Sequence, residues 1–178
     1  LIELFVGNAQ IQALPGAGSN RKYFRLNDNS RSAIGVIGTS LAENEAFVTM
    51  SQHFRNKGLP MPEIYSVGSD RMAYLQEYLV DTALYDLIAK NDPSYPLYLE
   101  KAVRWLPRIQ FEGAEGLDFS VCYPISDFNH RAISWDLNYF KYCFLKATGI
   151  EFDESRLEDD FERLGSDLLS LDSHTFMY

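Results

Sequence analysis

Strand-like patterning stops near residue 80, and that change limits the fold more than any other feature of the chain. Before it, short apolar runs alternate with turn residues; after it, apolar residues recur at helical spacing. A sheet region followed by an all-helical region reads as α+β, divided into 1–80 and 81–178 and joined by the segment Gln76 to Asp81. The sheet region opens with Ile11 and Ala13, crosses a turn through Gly16, Ala17, Gly18, Ser19 and Asn20, and resumes with Tyr23, Phe24 and Leu26. Gly16 and Gly18 carry no Cβ, so the tip can adopt positive φ and offer backbone N–H groups to an anion. Ser19 adds a hydroxyl and Arg21 a guanidinium; an ordinary turn between two strands is the other reading of the same residues.

The turn Asn27 to Ser30 leads to a buried-strand pattern over Ser32 to Gly38, so the first three strands form a meander. Thr39 or Ser40 caps the next helix, whose stripe is Leu41, Phe47, Met50 and Phe54. Gly58 ends that helix, and Pro60 and Pro62 prevent its restart. Ile64 to Val67 and Met72 to Leu75 read as two more strands, giving the order β-β-β-α-β-β. Beyond residue 80, one helix is expected over Thr82 to Ala89 and a second from Pro96, kinked or ended at Pro107. A loop over Phe111 to Asn129 is expected to hold buried aromatic anchors. Ala132 to Lys146 is apolar on several sides, which predicts a helix buried on several sides, and Ser155 caps a last helix striped by Leu157, Phe161, Leu164, Leu168 and Leu171.

Composition removes several classes of function. The net charge of −9 gives no electrostatic support for nucleic-acid binding. The late acidic runs, Glu151 to Glu154 and Glu158 to Asp160, are explained by a solvated helix face. No apolar run approaches the roughly 18 residues of a membrane span, and the chain is expected to be cytoplasmic with Cys122 and Cys143 reduced. His53, His130 and His174 lack metal-ligand spacing, and no Gly-x-Ser-x-Gly elbow or P-loop motif occurs. The glycine turn is followed by a strand where a dinucleotide-binding turn needs a helix. Trp105, Trp135, Tyr139 and Tyr142 are read as core packing in preference to a substrate pocket. Asp136 is a candidate for holding a substrate or for bonding a neighbouring helix.

Leu-Pro-Gly-Ala-Gly-Ser-Asn-Arg-Lys-Tyr-Phe-Arg-Leu and Tyr-Leu-Gln-Glu-Tyr-Leu-Val-Asp-Thr-Ala-Leu, set in that order of elements, resemble the aminoglycoside phosphotransferase and choline kinase superfamily of the protein-kinase-like fold. The likeness is greatest to the bacterial anomeric kinases of N-acetylmuramate and N-acetylglucosamine. The resemblance implies a five-stranded antiparallel nucleotide lobe with one helix, followed by the first helices of an α-helical lobe. It implies ATP and Mg2+ as cofactors and a small-molecule acceptor, a sugar or amino-sugar, phosphorylated on a hydroxyl. Gly16, Ala17, Gly18, Ser19, Asn20 and Arg21 would lie over the phosphates. Gln76, Glu77, Tyr78 and Leu79 would meet the adenine edge, with Asp81 at the cleft mouth. Glu43 or Glu45 would be the helix acid that kinases pair with a strand-three lysine. Strand three here, Ala33 to Gly38, has no lysine, so that cation is missing or is supplied by Arg21, Lys22 or Arg25. The catalytic base and metal ligands of the family are expected just past Tyr178, which makes the chain a fragment inactive by itself. A non-catalytic, pseudokinase-like binding module is the alternative.

Overall fold

A computed structural model describes residues 9–16, 20–28, 30–79, 82–171 and 175–176. The protein is α+β: a five-stranded antiparallel sheet with several helices. The strands are β1 (Gln10–Ala13), β2 (Lys22–Asn27), β3 (Ser32–Ile37), β4 (Ile64–Val67) and β5 (Ala73–Glu77), in the spatial order β1-β2-β3-β5-β4. Helix α1 (Leu41–Asn56) lies between β3 and β4 in the chain. It is followed by α2 (Leu84–Ala89), α3 (Tyr95–Phe111), α4 (His130–Phe140), a π-helical segment over Lys141–Leu145, the single turn α5 (Lys146–Thr148) and α6 (Glu154–Leu169).

The chain forms two compact units, one through Pro124 and one over Ile125–Met177. Helices α2 and α3 therefore group with the sheet, and the change of pattern at residue 80 marks where strands give way to helices inside the first unit.

Alternate residues of a strand point to opposite faces, and the sheet carries an apolar cluster on each. One holds Leu26, Ala33 and Leu75, with Ala9 and Phe24 against it. The other holds Ile34, Val36 and Tyr74, which pack on Val48 and Phe47 of α1. The register explains the sorting: Tyr23, Val36 and Tyr74 form one cross-strand row, and Phe24, Gly35 and Leu75 form the next. At the helix start the Ser40 hydroxyl accepts the Glu43 N–H at 3.3 Å. At the end the chain reverses through Gly58, at φ +74°.

The buried face of α1 differs from the expected stripe. Leu41 is exposed, and Asn44 and Ser51 lie among the buried residues with Ala46, Val48 and Phe54. Asn44 is 1% exposed because its amide does structural work: Nδ2 donates to the carbonyls of Met72 (2.8 Å) and Arg71 (3.1 Å). This fastens α1 to the β4–β5 turn. A Cβ added to Gly38 would collide with the same amide, so the end of β3 is fitted to it as well.

The helices bring further corrections. Pro107 neither ends nor replaces a turn of α3, which continues to Phe111. The carbonyl its ring deprives of a partner is that of Val103, an exposed residue, where water can meet it. Of the aromatic residues from Phe111 to Asn129, Phe111 at the end of α3 and Tyr123 are exposed and Phe119 and Phe128 are half-buried; the fully buried residues there are Gly113 and Leu117. Its local order comes from a 3-10 turn over Phe119–Val121. Trp135 and Tyr139 are each 71% exposed and Tyr142 is 56% exposed, so core packing does not account for them among the described residues. The helix start at residue 130 is capped by Asn129, and α6 is capped by Asp153 where Ser155 was expected. Both cysteines are free. Among the described residues no helix is long and apolar enough to cross a membrane.

Candidate functional site

The site is built at the root of the β1–β2 hairpin, where Arg21 enters β2 beside the first turns of α1. Hairpin pairing continues past β1 through the Leu14 N–H, which donates to the Tyr23 carbonyl at 2.9 Å. At Gly16 an added Cβ would meet nothing within 4 Å, so that backbone stands open. Asn20 is exposed. Ala17, Gly18, Ser19 and Asp81 lie outside the described residues.

Arg21 turns its side chain toward α1, and only 9% of it is exposed. Nη2 stands 2.9 Å from Oε1 of Glu43 and donates to the Glu43 carbonyl at 3.3 Å. Nη1 donates to the Tyr74 hydroxyl at 3.2 Å. The guanidinium also lies over the Phe47 ring, 5.1 Å from its centroid, and Phe47 stacks on Tyr74 at 5.1 Å. Carboxylate, phenol and aromatic face thus surround one cation, an arrangement suited to the planar fork of arginine and not to a lysine ammonium. Burial pushes the Tyr74 phenol up to about 12, with the Arg21 guanidinium acting in the opposite direction, so the hydroxyl stays protonated.

The two helix acids separate cleanly. Glu43 and Glu45 are two positions apart and face different sides of α1. Glu43 takes Arg21, and Glu45 takes Nε of Arg71 at 2.7 Å. Of the hairpin cations, Arg25 lies over the Tyr78 ring at 4.4 Å, and Lys22 is exposed.

At the other end of the sheet, Gln76 sits in β5 opposite Ile34 and Ile64. Its Oε1 is buried without a hydrogen-bond partner among the described residues. The Glu77 N–H is already spent on the Glu63 carbonyl at 2.8 Å, and the Glu77 carboxylate accepts the Glu63 N–H and faces Arg55. Asp136 lies exposed on α4 in the second unit. Among the described residues no three His, Cys, Asp or Glu side chains come together as a metal-ligand group.

Comparison with protein-family models, curated proteins and solved structures gives no match.

Sequence patterning singled out neither Tyr74, Asn44 nor Arg71, and placed Phe47 only in the stripe of α1. An asparagine inside the first turn of α1, past its cap, was the available signal, since asparagine is disfavoured within helices unless its amide has a task.

Proposed function

We propose that the chain is the nucleotide-binding part of an ATP-dependent small-molecule kinase of the aminoglycoside-phosphotransferase-like group. The acceptor is a sugar or amino-sugar hydroxyl. The reading rests first on the family resemblance of the hairpin and the Gln76–Asp81 segment. The observation that carries it further is the Arg21–Glu43 pair. A helix acid in this fold needs a cationic partner, strand three offers none, and the hairpin supplies it. In this reading, backbone amides near Gly16 face the phosphates and Arg21 adds positive charge beside them. Positioning and charge neutralisation are what such a site contributes to in-line phosphoryl transfer.

The test is a melting curve with and without magnesium ATP. Binding at saturating nucleotide stabilises by about 1–2 kcal/mol, a rise of roughly 3–6 °C for a chain of this size. The Arg21→Ala variant should lose the rise. No shift at millimolar ATP would overturn the reading.

A second reading, nucleotide binding without catalysis, is favoured by the lysine-free β3, whose residues on the face toward α1 are the apolar Ile34 and Val36. Release of ADP that depends on an added amino-sugar, measured on the full-length protein, separates the two.

A further inference from the structure

About 200° around α1 from Glu43, Glu45 faces a groove of about 420 Å³. The groove runs between α1 and the Ser120–Tyr123 segment, all within the first unit. Its α1 wall is Ala42, Ala46 and Thr49, at i, i+4 and i+7. Longer side chains at those positions would fill it; these leave it open.

The end of the groove is made by Arg71, and the backbone there is unusual. Arg71 sits at φ +57°, a left-handed conformation that a turn normally gives to glycine or asparagine. The conformation is held from both sides: the Arg71 N–H donates to the Gly68 carbonyl at 2.9 Å, and its carbonyl accepts from the buried Asn44 amide. An arginine kept where glycine fits better is an outlier that points to its side chain. That side chain lines the groove and meets Glu45 at 2.7 Å, with both groups close to half exposed.

A simple anion reaching Arg71 is repelled by Glu45, and a simple cation reaching Glu45 is repelled by Arg71. A ligand carrying both charges a few atoms apart satisfies the two at once. The apolar floor of Ala42, Ala46 and Val121 suits an aliphatic chain beside that charged head. We propose that the groove between α1 and the Ser120–Tyr123 segment binds a free aliphatic α-amino acid. Its carboxylate lies on Arg71, its ammonium on Glu45 and its side chain over the alanines. The site is distinct from the nucleotide reading and does not depend on it.

The experiment is a titration of the 15N-labelled chain with L-leucine, L-leucinamide and N-acetyl-L-leucine, followed by amide chemical shifts. Leucine should move the Thr49, Arg71 and Cys122 amides saturably. Leucinamide, which lacks the carboxylate, and N-acetyl-leucine, which lacks the ammonium, should bind at least about tenfold more weakly, each having lost a charge-assisted pair. Arg71→Gly suits the left-handed turn, so it should fold with an unchanged or higher melting temperature and still lose leucine binding. Ala42→Leu, at an exposed alanine of the α1 wall, should block the groove. The proposal is overturned if millimolar leucine gives no saturable shift, if N-acetyl-leucine binds as tightly as leucine, or if Arg71→Gly binds leucine normally.

Discussion

The sheet with α1 and the helices after Pro124 are held together by different forces. In the sheet, Ala33, Val36, Tyr74 and Leu75 are each 1% exposed, and α1 closes over one face of them. In the second unit the buried residues among those described are Ile133, Gly165 and a lysine. That lysine, Lys141, reaches from the π-helical segment to Glu158 at 2.6 Å and Glu154 at 3.3 Å of α6, while Lys146 takes Glu154 at 2.8 Å. The first region is stabilised by apolar area removed from water, the second in good part by charge. Apolar burial is insensitive to salt and mild pH change, whereas partly exposed ion pairs respond to both.

The contrast is broken most directly by paired truncations. Leu75→Ala should destabilise the protein by about 2–5 kcal/mol, and Leu168→Ala, on the half-exposed stripe of α6, by less than about 1 kcal/mol. Equal losses in urea denaturation would mean that the two regions are packed alike. Gly38→Ala comes next. Its methyl meets the Asn44 amide, so one of α1 and β3 must shift, at about 1–3 kcal/mol. Pairing it with Asn44→Ala should recover part of that loss if the amide is the obstacle.

The smallest effect is the one that sharpens the comparison. Hydrogen bonds from Lys146 and then Lys141 hold the Glu154 carboxyl below the usual glutamate range. A group so depressed in the folded state adds stability that is complete above its unfolded value and is lost as pH falls through the lowered one. The carboxylate of Glu158, and then that of Glu154, raise the Lys141 amine, so its contribution is complete below the usual lysine range and is lost as pH climbs past the raised value. Helical ellipticity of the second unit should therefore weaken at both acid and strongly alkaline pH, and Glu154→Gln should flatten the acid limb. An acid limb unchanged in Glu154→Gln would remove the charge argument for this region.

Much of the sheet region was legible because its signals are local. Two-residue alternation, the Asp28 turn, the Ser40 cap, Gly58 and the prolines after it each act within a few residues, and β4 falls where its pattern places it. The helical region was read less well, since burial there depends on neighbours that periodicity does not name. Trp135, Tyr139 and Tyr142 have the composition of a core and the exposure of a surface. Pro107 does not end α3, since the missing N–H costs least where the deprived carbonyl belongs to an exposed residue such as Val103. For the site, the residue types were visible and the pairings were not. Glu43 and Glu45 could not be told apart until α1 turned one toward Arg21 and the other toward Arg71.

The fit between Gly38 and Asn44 also bears on how such a chain can change over generations. A side chain at 38 costs less once the amide at 44 has gone, and without that amide the Arg71 carbonyl loses its donor while that of Met72 keeps the Gly38 N–H. Neither step is favourable first. Substitutions at the two positions, and at the turn they hold, should therefore be inherited together or not at all.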